Sequence, residues 1–215
     1  MRLAMFAAAL LLALPGCKIV HAGSKEATDP SDPNNFNAKK YVAKIWDAKV
    51  APYYHDAAHP LPEVLAALAK DKDAAGKAFG HQSNPGGSPW TFVVSGSGTV
   101  ASIDTASRRG EMVVKLGAPE HPVDVTLQIG PVVFGTAVRD ALPFIAFGDF
   151  VNQIQYAEVS RALNDRAVAA AEAGLGKKPV PGQDISFSGA MIDPAEAGGI
   201  MVTPVEIHLG RAPTP

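Results

Sequence analysis

Hydrophobic positions recur every three or four residues in the first half of the chain. Residues 36–53 carry their apolar side chains at this helical spacing, which predicts an amphipathic helix ending near Pro52. A second helix is predicted to begin at Pro62, and a third covers residues 73–79. Residues 36–88 are therefore expected to be helical.

The hydrophobic period changes to two at Trp90 and predicts three strands in succession. Residues 90–104 favour one long strand, and the glycines of residues 95–98 indicate a bulge or bend inside it. Residues 111–116 predict the second strand. Residues 123–129 predict the third, because apolar and polar side chains alternate there.

The remaining pattern predicts a short helix, a long helix and two more strands. The long helix covers residues 149–173, with Asp149 suited to cap its start and Gly174 its end. The last two strands are expected around Phe187 and Ile207.

The order of these elements indicates an α+β fold. It matches an OB-like five-stranded antiparallel barrel with N-terminal helices and a long helix inserted between strands three and four. Closure into a barrel removes free edges, and a bulge lets the long first strand serve both sides. A mixed open sheet with flanking helices is the alternative.

The N-terminus has the features of a targeting segment. A positive head is followed by an apolar run over residues 3–14, which is shorter than the roughly 20 residues that a helix needs to span a bilayer. The next residues, Leu14-Pro15-Gly16-Cys17, resemble the lipobox of a bacterial lipoprotein signal. Residues 1–16 are then a signal peptide, and Cys17 becomes the acylated first residue. An ordinary secretory signal with an incidental cysteine is the alternative.

The chain after the signal divides into a tether and one domain. Residues 21–35 are polar and lack apolar periodicity, so residues 17–35 are predicted to be the lipidated N-terminus and a flexible tether. Residues 36–215 are predicted to form a single α+β domain, helical over 36–88 and barrel-like over 89–215. Cys17 is the only cysteine of the 215 residues, so no disulfide is expected.

Composition narrows the class of function. Apolar residues make up 47% and charged residues 19%, which is typical of a folded globular chain. The formal net charge is -2, whereas a nucleic-acid-binding domain usually carries a basic surplus. We expect no nucleic-acid partner.

Polar residues of the long helix are the best candidates for a binding site. Arg161, Asn164 and Asp165 share one side of the predicted helix with apolar residues, so they are expected to be partly enclosed. In one interpretation Arg161 pairs with Asp165 and Asn164 bonds a neighbouring backbone group. In the other, the three line a ligand pocket with Arg139 and Asp140, and such groups suit a polyol or a small anion.

Other motifs do not supply a catalytic or metal site. His55 and His59 have the spacing of a zinc-binding helix, but prolines crowd them and no third ligand is evident. The glycine-rich loop at residues 130–136 lacks the lysine of a phosphate loop. Residues 95–98 do not match a nucleophile elbow. We expect no catalytic residue, metal or cofactor.

Four stretches together resemble one family. They are the lipobox around Cys17, YVAKIWDAKVAPYY (41–54), LQIGPVVFGTAVRDALPFIAFGDF (127–150) and NQIQYAEVSRALNDRA (152–167). They resemble the predicted periplasmic lipoproteins called domain of unknown function 2291, over nearly the whole chain after the signal. The family is uncharacterised, so the resemblance implies no catalytic residue. Its members look to be encoded beside bacterial ABC-type importers for simple sugars, which implies an accessory role in uptake.

The expected function is that of a lipid-anchored periplasmic protein, more consistent with binding than with catalysis. Its expected partners are a membrane, ABC-type importer components and a small sugar or anion. Lys18 replaces the aspartate that marks inner-membrane retention in some bacteria, which favours the outer membrane over the inner. Two alternatives stay open. One is an envelope glycan hydrolase using Asp140 or Asp165, which needs two carboxyl groups about 5–10 Å apart. The other is a purely structural interaction module, which predicts a large exposed apolar patch and no pocket.

Overall fold

The computed structural model describes residues 28–210, with the exception of residues 34 and 177. The predicted signal peptide, Cys17 and most of the predicted tether lie outside the described residues. Within the described ranges, every helix is too short or too polar to cross a bilayer.

The first part of the domain contains helices, with two short strands among them. Its helical elements are α1 (Ala38–Ile45), a π-helical turn (Trp46–Val50), α2 (Ala51–Asp56), α3 (Leu61–Lys70) and α4 (Lys72–Phe79). Asn37 caps α1, because its side chain accepts a hydrogen bond from the backbone N–H of Lys40 at 3.0 Å. Pro52 lies near the start of α2, where its ring and its missing N–H disturb the preceding turn. The wider π-helical turn directly before α2 accommodates that disturbance.

Seven strands of the described residues make up one sheet. They are β1 (His59–Pro60), β2 (Gly80–His81), β3 (Thr91–Asp104), β4 (Glu111–Leu116), β5 (Val123–Gln128), β6 (Asp184–Ile192) and β7 (Met201–Leu209). The five longer strands pair in the order β3-β4-β5-β7-β6, and β6 pairs again with β3, so the pairings form a closed cycle. The short β1 and β2 add to β3.

Five long strands are present, with β1 and β2 as two-residue additions, but the predicted all-antiparallel pairing is wrong. β5 runs parallel to β7, with Thr126 opposite Met201 and Leu127 opposite Val202. The parallel pair follows from the other pairings. β7 is antiparallel to β6, which is antiparallel to β3, so β7 runs in the direction of β3. β5 also runs in the direction of β3, because it is antiparallel to β4 and β4 is antiparallel to β3.

β3 serves two partners, as its length predicts. Its first part pairs with β6 from Thr91 to Thr99, and its second part pairs with β4 from Gly98 to Asp104. The irregularity lies a few residues after the predicted position at residues 95–98. The register against β4 shifts between Val100 and Ser102. Gly98 instead marks a close approach, since a Cβ there would lie 2.2 Å from the carbonyl oxygen of Lys115.

The long helix α6 (Gln153–Leu175) follows α5 (Ala137–Asp140) and a 3-10 turn (Phe147–Asp149), so a helix does lie between the third and fourth long strands. Both predicted caps are wrong. Asn152 caps α6 by accepting from the Gln155 N–H at 2.9 Å, and Gly176, with a φ of 57°, follows its last residue.

Two hydrophobic cores hold these elements together. One is built from alternate residues of all five long strands, with α3 and the C-terminal end of α6. The other joins α1, α2, α5 and α6 to the opposite face of β3, β6 and β7, represented by Val93, Ala190 and Val205. The short helix α7 (Pro194–Ala197) links β6 to β7.

Gly174 allows α6 to approach β7 closely, because a Cβ at this position would lie 2.0 Å from the carbonyl oxygen of Ile207. We predict that Gly174→Ala lowers the free energy of unfolding by about 1–3 kcal/mol, since backbone must shift to admit the methyl group. Chemical denaturation measures the loss. The matched control is Gly148→Ala, where nothing lies within 4 Å. Equal stability of the two variants would contradict this packing.

Candidate functional site

Three neighbouring strands carry polar side chains on one face, beyond the part that the helices cover. The six residues lie in two rows, directly opposite one another across the strands: Ser95, Ser188 and Glu206 in the first row, and Ser97, Ser186 and His208 in the second. Residues two positions apart in a strand point to the same face. The register therefore brings four hydroxyl groups, a carboxylate and an imidazole together.

These two rows line a cleft of about 850 Å³, here called the Ser–Glu–His cleft. The end of α2 and the segment after it form another part of the lining, with His55, Pro60 and Pro62. Apolar groups also contribute to the lining, namely Leu116, Phe187 and Leu209. The cleft thus combines polar groups with apolar surface, as small-molecule sites do.

Burial differs along the rows. Ser186 and Ser188 are buried, whereas Ser97 and His208 are exposed. The deeper hydroxyl groups belong to β6, the central strand of the three, and the more accessible groups lie on either side of it. A solute that enters the cleft would therefore meet polar groups both at its opening and at its base.

Glu206 is the one carboxylate among the residues that line the cleft. The Ser188 hydroxyl donates a hydrogen bond to Glu206 Oε2 at 3.3 Å. His55 Nδ1 lies 3.6 Å from the same oxygen. The carboxylate thus stands between the hydroxyl and the imidazole. In a serine hydrolase the imidazole stands between the other two groups, so that it can take the serine proton.

Arg139 and Asp140, two of the predicted site residues, form a mostly buried ion pair. Arg139 donates to Asp140 Oδ1 through Nη2 at 2.6 Å and through Nε at 2.8 Å, and the Thr136 hydroxyl donates to the other carboxylate oxygen. The Arg139 guanidinium also lies 3.7 Å from the ring centroid of Tyr156. Burial raises the pKa of the Tyr156 phenol, while the Arg139 charge acts in the opposite direction.

The same region is tied to the first helices and to β2. The Tyr54 hydroxyl donates to the carbonyl oxygen of Val138 at 3.0 Å, and burial raises the pKa of Tyr54 well above its ordinary value. His81 Nδ1 lies 2.7 Å from the Asp140 carbonyl oxygen. These contacts tie the backbone of α5 to α2 and to β2.

The three candidates on α6 do not share one environment. Asn164 is buried, and its amide donates to the Gly135 carbonyl oxygen at 3.0 Å. Arg161 and Asp165 are exposed, so the expectation that they are enclosed is wrong for both. Asp165 lies 3.8 Å from Lys39, in place of the expected partner Arg161. Neither Asp165 nor Asp140 lines the Ser–Glu–His cleft.

The two spaced histidines have separate surroundings. His55 lines the cleft, whereas the His59 ring packs edge-on against Phe79 with their centroids 4.9 Å apart. Within the described part of the chain, no group of three or more histidine, cysteine, aspartate or glutamate side chains is arranged to hold a metal ion.

Comparison with known proteins identifies the family. A family model described as predicted periplasmic lipoprotein (DUF2291) matches residues 7–208. The chain belongs to this family. Its description agrees with the lipobox, and it assigns members of DUF2291 to the periplasm as lipoproteins. No curated protein shows detectable sequence similarity to the chain.

A solved structure is similar in fold. It is the crystal structure of an OB-fold protein from Thermotoga maritima, with a TM-score of 0.63 and 18% sequence identity. The match covers 81% of this chain and 99% of that chain. At this level of identity the likeness shows the fold alone, and it supports an OB-like fold for this member of DUF2291.

We predict that Asp140 acts in stability. Asp140→Asn leaves the Arg139 charge without its partner and should lower the free energy of unfolding by about 3 kcal/mol. Asp165→Asn is the matched control, and because its carboxylate is exposed it should change stability by less than about 0.5 kcal/mol. Urea denaturation of both variants makes the comparison. If Asp140→Asn is as stable as Asp165→Asn, the ion pair does not stabilise the fold.

Proposed function

We propose that this protein is a lipid-anchored periplasmic binding component, in which the five-strand cycle is an OB-type barrel and the Ser–Glu–His cleft binds a small polyhydroxylated solute. The observation that carries the proposal is the pair of polar rows across β3, β6 and β7. Their side chains meet at a cleft of about 850 Å³, which falls within the usual size range of small-molecule sites.

The chemistry of the cleft suits a sugar or another polyol. A serine hydroxyl both donates and accepts, a carboxylate accepts from more than one hydroxyl, and a neutral imidazole does one of each. A polyol offers matching donors and acceptors at every carbon. The exposed proline rings of the lining, Pro60 and Pro62, offer an apolar surface for the C–H groups of a sugar ring.

The Glu206 carboxylate is the specificity element of the proposed site. Hydrogen bonds to a charged acceptor are stronger than those between neutral groups. Its existing contacts with Ser188 and His55 orient it, so little side-chain freedom is lost when a solute binds. The carboxylate also disfavours small anions, which narrows the expected solute class to a neutral or cationic polyol.

By binding this solute, the protein is proposed to act as an accessory component of a sugar ABC-type importer. The support is the family resemblance and the lipobox, which together imply a periplasmic protein held at a membrane. Two or more acyl chains, such as palmitate, on Cys17 would provide stable anchoring. The residue after it, Lys18, favours the outer membrane.

The two alternative functions have less support. The hydrolase needs a pair of carboxylates in one cleft, but Asp140 is engaged by Arg139 and Thr136, and Asp165 is exposed beside Lys39. The purely structural module predicts no pocket, whereas a sizeable cleft is present.

We predict that Glu206→Gln weakens binding of the preferred solute by tenfold or more, because a hydrogen bond to a charged group contributes about 1.5–3 kcal/mol. The measurement is a thermal-shift screen of sugars and polyols on the full lipoprotein, followed by calorimetric titration of the solutes that raise the melting temperature. Glu172→Gln is the matched control, since Glu172 is exposed on α6 outside the cleft. It should bind as the unmodified protein does.

Two results would count against this site. One is that no polyol stabilises the unmodified protein. The other is that Glu206→Gln and Glu172→Gln bind with the same affinity. The transport role has its own test: cells lacking the protein should take up the bound solute more slowly. Unmodified protein should restore uptake, and Glu206→Gln should not.

A further inference from the structure

Three large apolar side chains are exposed where α6 begins. Phe147, Val151 and Ile154 expose 52%, 49% and 69% of their surface. We call these three residues the α6 apolar patch. Exposed aliphatic and aromatic groups that lie together are typical of a surface that contacts something apolar.

The three residues lie in one short stretch of chain, from the 3-10 turn to the first turn of α6. The Phe147 ring packs edge-on against Tyr156, with centroids 5.5 Å apart. The backbone N–H of Val151 donates to the Gln155 side chain at 3.2 Å. Ile154 directly precedes Gln155 in the first turn of α6, so the patch is built around this one turn and the 3-10 turn before it.

The same Gln155 side chain joins the patch to the predicted tether. Its Nε2 donates to the carbonyl oxygen of Asp32 at 3.2 Å. Asp32 thus lies beside the patch, and the chain leads from it back towards Cys17. Residues 18–27 separate Cys17 from the first described residue, and fully extended they span at most roughly 35 Å. The described chain therefore leads towards Cys17 from the side of the domain that carries the patch.

We propose that the α6 apolar patch lies against the periplasmic surface of the bilayer in which Cys17 is anchored. The occupant is a lipid surface, because the predicted tether joins the acylated Cys17 to the domain beside the patch, and this tether is short. A domain held this near a bilayer meets head groups and acyl chains at a high local concentration. Apolar side chains that enter the interface lose their contact with water. The proposal rests on the lipid anchoring of the proposed function and is independent of solute binding.

Contact with lipid at this patch would leave the Ser–Glu–His cleft uncovered. Ile154 and Gly174 lie near opposite ends of α6, roughly 30 Å apart along its axis at 1.5 Å per residue. Gly174 packs on Ile207, which separates the cleft residues Glu206 and His208 in β7. The bilayer contact and the cleft are thus placed at distant parts of the domain.

The test uses a fluorophore on a single introduced cysteine, since acylation blocks Cys17, the only native thiol. The reporter is Ile154→Cys, and the matched control is Val180→Cys, which is 53% exposed and lies beyond the other end of α6. Full-length acylated protein is reconstituted into vesicles of phosphatidylethanolamine and phosphatidylglycerol. Quenching is measured with nitroxide-labelled lipid and with aqueous iodide.

We expect lipid nitroxide to quench the Ile154→Cys label and iodide to quench it at least about threefold less than the Val180→Cys label. Adding Val151→Asp to the Ile154→Cys protein should abolish the lipid quenching. Acylated protein with equal iodide quenching at the two positions overturns this proposal alone. Protection in native envelopes but not in pure lipid vesicles also overturns it, since the occupant is then a protein. Protein without acyl chains overturns the anchoring and the patch together.

Discussion

The register of β3 against β6, and of β6 against β7, is the constraint on which the rest of the structure depends. A slip of one residue in either pairing would turn every side chain of the strand to the opposite face. In the observed register, Ser95, Ser188 and Glu206 lie side by side and the interior positions between them stay apolar. An irregularity between Ser188 and Gly189 resets the β6–β7 register, so that Val205 faces the helices while Glu206 still faces the cleft.

The cleft exists because the helices cover only part of the outer face of these strands. Along β3, the outward residue Val93 is buried under the helical layer, whereas Ser95 and Ser97 lie beyond it. The other two strands change from apolar to polar at the same level. Apolar burial against α1, α2, α5 and α6 therefore fixes one end of the face, and the uncovered end is left to polar groups that can exchange water for a solute.

Much of the fold could be predicted from the sequence, because it follows from periods that each segment carries alone. The two-residue period gave the positions of the five long strands, and their order around one long helix indicated the OB-like arrangement. The parallel pairing of β5 with β7 could not be read in this way, since it depends on the path of the crossover. Asp149 and Gly174 were suited to cap α6, but Asn152 and Gly176 do so, because the Asn152 side chain accepts from the Gln155 N–H and Gly176 adopts a positive φ of 57°.

The candidate site was harder to predict than the fold. Its residues come from three strands far apart in sequence, and only the pairing register reveals that they meet. The repeated Ser-x-Ser of residues 95–97 and 186–188 was the available signal, and it reads equally well as the polar face of any strand. The helical wheel correctly predicted that Asn164 is buried, but it failed for Arg161 and Asp165, because α6 leaves a narrow exposed strip between its two buried sides.

The most direct test of the register is to replace Ser97 and Ser186 together by cysteine in the full chain. The observed register predicts a disulfide on oxidation, because directly opposite residues bring their Cβ atoms within bonding reach, and no disulfide when Ser97 is combined with Ser188 in the same way. A disulfide in the second pair and none in the first would contradict it.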